Sequence, residues 1–449
     1  MAAAKNNRAI IAVNRFGLGA TGAELSDAQL NPEQWLLQQL VSPVFDKTLG
    51  NTESAFRVIA DIKKFKELRR KAEKKGPDVG VSIIKPYRRA LLSDSLSLSI
   101  KTDIPFAMRI LDFFSNHFSV SASNQPLTIL APILEREAIA PNLFGQFSDL
   151  LIAVEQHPAM LLYLNNEKSV GANSQRGKKA RGLNENLARE ILELHTLGVD
   201  GGYKLEDIRQ LAMAISGWSI TGANEVGRAG FKFRNAAHEP GTRSILGKSY
   251  PLAGVAQGQA VMRDLARHAK TAHFISRKLA QHFIADEPPE EVVSAMIDTW
   301  LKTDGNIKAV VTTMVKQPQS WNDQAQKFKT PREFVVSTYR AFDNPKMINQ
   351  KLMNIALRGL NLMGQSPFDA GSPAGYSYLN RAWTGSDALM KRIDWVNLLS
   401  NNISENPQSI VKRTFSSQLS SLTVKSLAGA ESRVQGLSLF FLSPEFQRR

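Results

Sequence analysis

Several side chains able to do chemistry crowd into one stretch, Gly182 to Tyr203, GLNENLAREILELHTLGVDGGY. Leu183, Leu187, Ile191 and Leu194 recur at helical spacing and predict an apolar stripe facing a core. At roughly 100° per residue, Asn186, Glu190 and Glu193 fall on one flank of that stripe, and Asn184 and His195 on the other. Glu190 lies closest to the stripe and is expected to be the most buried carboxylate. A buried carboxylate needs a cation, a metal or a raised pKa, and each suits a catalytic site. Glu193 and His195, roughly 160° apart, are not a chelating pair. Glu190 and Glu193 are therefore read as acid/base carboxylates assisted by His117, His195 or His238. Asn184, Asn186 and Arg189 become substrate contacts, and Tyr203 and Trp218 pocket walls. The same helix also reads as an ion-paired surface, Glu185 with Arg189 and Arg189 with Glu193. A tryptophan at a helix end is commonly core.

Two further histidines stand out. Phe106, Ile110, Phe113 and His117 share one face of the helix that Pro105 opens, so His117 projects from an apolar stripe, where a satisfied core histidine is the commoner occupant. His238 sits in the loop His238-Glu239-Pro240-Gly241, and function concentrates on loops held by rigid elements. A metal ion is one cofactor reading, with His117, His238 and Glu190 as candidate ligands and His195 and His282 as further imidazoles, a donor set suited to zinc, iron or manganese. No His-Glu-x-x-His spacing occurs. Asp200-Gly201-Gly202 lacks the alternating acidic ligands of a calcium loop and reads as a turn. Gly17-Leu18-Gly19 lacks the third glycine of a dinucleotide loop and also reads as a turn.

The elements that must position these residues are helical almost throughout. Asn31 caps a helix with Pro32 at its first position, and residues 55–75 and 86–101 carry helical patterns. Residues 133–164 read as two helices. Gly198 stops the central helix, and 205–216 resumes the pattern. Residues 219–250 have no helical period, and Phe231-Lys232-Phe233 alternates as a short strand does. Helices return over 258–268, 271–284, 288–302 and 306–316. Thr330-Pro331-Arg332-Glu333 is a capping box. The loop 364–376 is too long for a simple connector and is expected to pack over something. Two or three helices complete the chain. The expected fold is mainly α, a multi-helix globular array with a small irregular or β insertion near 219–250. It forms one continuous unit, 1–449, with lobes at 1–160, 161–330 and 331–449.

Composition sets bounds. The 449 residues, 43% hydrophobic and 22% charged, suit a folded globular chain with a sizeable core. There is no cysteine, which excludes disulfides, thiolate metal sites and a cysteine nucleophile. The formal charge of +15 attracts polyanions. Much of it is local, in Lys63 to Lys75 and in RGKKAR at 176–181. No aromatic side chains interleave there as a stacking platform, so a solvated helix face is the reading and no specific nucleic-acid signature is present. The short apolar run Ala9 to Val13 is too little for a signal peptide or a transmembrane segment, so as written the chain reads as cytoplasmic.

Taken in order, NHFSVS (116–121), NENLAREILELHTLGVDGGY (184–203), Gly217-Trp218, FKFRNAAHEPGTRSILG (231–247), FISRKLAQHF (274–283), TDGNIKAVV (303–311), KTPREFVVS (329–337), GQSPFDAGSPAGY (364–376) and LSPEFQRR resemble the bacterial family catalogued as domain of unknown function 1800. The resemblance spans nearly the whole chain. It departs where Phe113-Phe114-Ser115 stand in place of a Trp-rich segment. The family has no settled activity. The resemblance implies export to the periplasm or beyond for many members, and a partner from the neighbouring family 1501, which is similar to sulfatases and alkaline phosphatases. An anionic polymer as substrate follows from that neighbour, and a hydrolase acting on acidic glycans is the functional expectation. A metal- or haem-dependent enzyme and a non-catalytic scaffold for the sulfatase-like protein are the alternatives. NHF and LHTL have a short likeness to animal-type haem peroxidases, too short for haem to be expected.

Overall fold

The computed structural model describes residues 2–46, 49–71, 79–177, 182–221, 230–344, 348–415 and 419–449. Lys178 to Arg181 and the end of the basic run, from Ala72 onward, lie outside them.

The chain is mainly α, as periodicity requires. Asn31 accepts from the Gln34 amide with Pro32 at the first helical position, and Thr330 and Glu333 cap each other's backbone at the start of Pro331–Ala341. Thr52–Lys71, Val79–Lys101 and Gln125–Leu134 pack together, and Glu290–Lys302 lies between Ala269–Phe283 and Ile307–Lys316. Buried apolar residues from Ala9 to Phe446 form one connected core. Among the described residues no helix is long and apolar enough to cross a membrane. On Thr52–Lys71 the side chains of Lys64, Lys66, Arg70 and Lys71 are exposed.

Among the described residues the insertion contains two antiparallel strand pairs. Trp218–Thr221 pairs antiparallel with Gly230–Phe233, Trp218 opposite Phe233. Arg243–Ile245 pairs with Lys248–Tyr250 through Leu246 and Gly247, both at positive φ as a mirror-image two-residue turn requires. Asp207 fixes that turn by accepting from the Leu246 amide at 2.7 Å.

Two regions are more broken than their periodicity suggests. Residues 133–164 divide into several segments because Pro132, Pro141 and Pro158 interrupt the amide ladder. Among the described residues beyond Gly385 there are five helices, not two or three: Ser386–Ser400, Pro407–Thr414, Ser421–Ala428, Arg433–Phe441 and Pro444–Gln447. Asn406, Ser420, Ser432 and Ser443 each cap one of the last four, a punctuation that hydrophobic periodicity alone does not register.

Among the described residues three helices carry π-turns, Ala12–Phe16, Glu135–Ile139 and Ile191–Thr196. In the last, the Leu197 amide donates to Leu192 O at 3.0 Å and Thr196 Oγ1 to Ile191 O at 2.6 Å. A π-turn fits an extra residue into each turn, so the inward face drifts along the sequence. The buried side is therefore Leu187, Ala188, Ile191, Leu192, His195 and Thr196, while Leu183 and Leu194 of the expected stripe are half-buried.

Candidate active site

The π-turn carries His195 into the core, where Nδ1 lies 2.7 Å from Glu155 Oε1 with both side chains sealed from solvent. The contact is ionic in distance but not aligned as a hydrogen bond. Both Glu155 oxygens and both His195 ring nitrogens lack a hydrogen-bond partner. Glu155, on Phe147–Glu155, is thus the most buried carboxylate near this helix. Glu190 is half-buried because the inward face is centred on Leu187, Ala188, Ile191 and Leu192, which leaves Glu190 on a flank. Burial still pushes the Glu190 pKa up, against the pull of nearby His195. Glu193 pairs with Arg189 at 3.3 Å, whereas Glu185 turns to Arg209 at 3.4 Å.

His117 faces the same centre. Its Nε2 lies 3.2 Å from His195 O and its Nδ1 3.0 Å from Lys278 Nζ. Burial first and Lys278 second drive its pKa well down. The neutral ring then donates through Nε2–H to the carbonyl and accepts at Nδ1 from the lysine. Burial lowers Lys278 to about 8, and its ammonium lies over the Phe274 and Tyr378 rings. His117, His195 and Glu190 are therefore brought together, with Glu155 and Lys278 added.

His238 belongs to another neighbourhood, with Nδ1 3.0 Å from Ser216 O and its ring against Phe233. Among the described residues no three His, Asp or Glu side chains are placed to hold a metal ion, so His117, His238 and Glu190 form no common ligand set. Asn184 accepts from the Asn186 amide and donates to Asn165 O. With Asn165 and Lys168, both asparagines line a shallow depression. Tyr203 is half-buried, its hydroxyl pushed up to about 12 by burial and Glu193. Trp218 is fully buried core, packed on Phe231.

A second centre is more enclosed. The loop 364–378 roofs a cavity of about 90 Å³, room for a few water molecules. Its walls include Asp112, Ser115 and Asn116 from Pro105–His117, Glu135 from the π-turn Glu135–Ile139, Arg332 from the capping box, and His282. The roof is stapled by Asn116, which donates through Nδ2 to Tyr376 O at 2.8 Å and accepts the Tyr376 amide at 2.7 Å. Tyr378 donates its hydroxyl to Phe113 O. Gly375 sits at φ 75°, and a Cβ there would lie 2.3 Å from Asn116 O, so only glycine lets the roof approach this closely. The loop does pack over something, as its length requires.

Inside, Arg332 donates through Nε to Asp112 Oδ1 at 2.7 Å and through Nη2 to Ser99 Oγ at 3.0 Å. Glu135 receives Ser95 Oγ on one oxygen at 2.8 Å and Ser115 Oγ on the other at 2.7 Å. Burial raises both carboxyls, and Arg332 pulls against it in each case. Next to them Glu333 is held far below the usual carboxylate range despite its burial. Arg109 Nη2 at 2.9 Å, Arg449 Nη2 at 2.6 Å and the Thr330 amide converge on it. Arg109 also lies 3.4 Å from His282 Nε2, and burial keeps that ring neutral.

Sequence reasoning did not reach Asp112, Glu135 or Arg332. Two signals were available: Arg109 and Asp112 are the only charged residues in the apolar run PFAMRILDFFSNH besides its histidine, and Arg332 lies inside the capping box.

Fold and site together define a mainly α protein with a roofed polar cavity beside a buried histidine–carboxylate centre. The chain belongs to the family described as protein of unknown function DUF1800, whose model matches residues 11–448. No curated protein and no solved structure matches it. The segments that carry the resemblance converge on these centres. NHFSVS supplies Asn116 and His117, FISRKLAQHF supplies Lys278 and His282, KTPREFVVS supplies Arg332 and Glu333, and GQSPFDAGSPAGY is the roof.

Proposed function

We propose that the protein is a hydrolase whose chemistry occurs in the roofed cavity, with Glu135 transferring the proton and the Asp112–Arg332 pair fixing the polar end of the substrate. The observation that carries this reading is the unequal treatment of two carboxyls on one wall. Asp112 has a guanidinium partner, whereas Glu135 is held by hydroxyls alone. Carboxyls of unlike environment can divide acid and base roles. One guanidinium, Arg332, against four carboxyls on the lining, Asp112, Glu135, Glu333 and Asp369, favours a neutral substrate over an acidic glycan, although the overall charge of +15 would still draw anions to the surface. The test is a panel of esters, amides and glycosides hydrolysed by wild type, Glu135→Gln and Asp112→Asn. Loss of about 10²-fold or more in the first variant, with the fold intact, supports the reading. Wild-type rates in both variants would sink it.

A second reading keeps the chemistry on the central helix, with Glu190 and Glu193 as the carboxylates. It is favoured by the unsatisfied Glu155–His195 contact beside a raised Glu190. Glu190→Gln in the same panel separates the two, since only the second reading expects it to be inactive.

A further inference from the structure

We propose that the cavity cleaves carboxylic esters of small acyl groups through a covalent intermediate on Ser115, with Glu135 as its general base. The inference rests on the cavity being the site of hydrolysis and adds the nucleophile and the substrate class.

Of the serines around the Asp112–Glu135 wall, Ser95, Ser99, Ser115 and Ser119, only Ser115 both lines the cavity and bonds a carboxylate. Ser95 and Ser99 are buried, at 3% and 0% exposure, with no face in the cavity. Ser115 is half-buried, lines the cavity, and gives its hydroxyl proton to Glu135 Oε2 at 2.7 Å. Ser119 also lines the cavity but has no carboxylate partner among the described residues. A nucleophile bonded to a base that a third group orients is the arrangement covalent catalysis requires. Here the third group is Ser95, which holds the other Glu135 oxygen at 2.8 Å. Burial without a cation in direct contact raises Glu135 towards the range in which a carboxylate accepts a hydroxyl proton.

The step balances. Ser115 Oγ bonds to the ester carbonyl carbon as its proton passes to Glu135 Oε2. The carbon–oxygen bond to the alcohol then breaks, and the alcohol leaves with that proton. Water repeats the sequence and releases the acid and Ser115. Arg332 commits Nε to Asp112 and Nη2 to Ser99, which leaves Nη1 for the developing oxyanion. A cavity of about 90 Å³ under a stapled roof admits an acyl group of only a few heavy atoms.

The probe is methanesulfonyl fluoride, small enough for the cavity and reactive towards activated serine hydroxyls. The full chain is treated, its intact mass followed, and the modified residue mapped by peptide mass spectrometry. One sulfonyl group on Ser115 is expected, with a rate that rises with pH as Glu135 loses its proton. Labelling should slow by about 10²-fold in Glu135→Gln. A wild-type protein that takes no adduct on Ser115, or labelling at an equal rate in Glu135→Gln, overturns the proposal without requiring any Ser115 variant to fold. Ser115→Ala separates the two readings. If it still hydrolyses a substrate that Glu135→Gln does not, the covalent step is wrong and the carboxyl hydrolase stands. If Glu135→Gln is also fully active, both fall.

Discussion

Glu333 and Glu135 are equally deep, 6% and 3% exposed, and border the same cavity. Glu333 receives two guanidinium groups and a backbone amide, and its carboxyl is held far below the ordinary range. Glu135 receives two serine hydroxyls and is pushed the other way. Depth alone therefore does not decide what a buried carboxyl can do; its partners do. A charge saturated by cations is fixed and serves to hold elements together. One held by hydroxyls alone remains able to exchange a proton.

The contrast can be broken first at Glu333. Glu333→Gln leaves Arg109 and Arg449 buried without their anion, and denaturant unfolding should register a loss of about 3–5 kcal/mol. A loss below about 1 kcal/mol would mean that the knot is not structural. Glu135→Gln should do the reverse, changing stability little while lowering turnover by about 10²–10⁴-fold. The stability of these two variants across pH sharpens the point. The fold holds the Glu135 proton more tightly than the unfolded chain does, so the stability this group contributes is full below the ordinary value of 4.5. It is lost as pH rises from 4.5 through the folded value, and the gap between Glu135→Gln and wild type should widen in favour of the variant over that interval and then hold constant. Glu333, depressed in the fold, contributes stability above 4.5 that is lost as pH falls. Melting curves over this range should therefore separate the two carboxyls by the sign of their slopes.

A smaller effect is expected at the roof. Asn116→Ala removes two hydrogen bonds, about 1–3 kcal/mol together, and exchange of the Tyr376 amide should accelerate accordingly. Unchanged protection there would show that the roof is held by packing. The smallest belongs to the exposed side of the central helix. Glu193→Gln loses a partly solvated pair with Arg189 and should cost only a few tenths of a kcal/mol by thermal melting.

Much of the helical frame was legible because its signals are local. The Asn31-Pro32 cap, the Thr330 box and the switch to alternation at Phe231 each lie within a few residues. The roofed cavity was not legible. Arg332 and Asp112 are 220 residues apart, and Arg449 and Glu333 are 116 apart, so no spacing announces them. On the central helix a regular period of 3.6 residues puts Leu194 inward and His195 on a flank, and the π-turn from Ile191 to Thr196 breaks that period, burying His195 and leaving Leu194 half-buried. His117, on a regular helix, lies on the buried apolar face its period assigned.

That π-turn gives the chain slack in its count at one place. Removing one residue between Ile191 and Thr196 would let the segment close as an ordinary α-helix, and because the π-turn already absorbs that residue within its own turn, the flanking segments would keep their mutual phase. The five-residue bonds, from the Leu197 amide to Leu192 O and from the Thr196 hydroxyl to Ile191 O, would shorten to four. In this short window a deletion should therefore be tolerated better than one in a regular helix, where a missing residue turns everything downstream by roughly 100°.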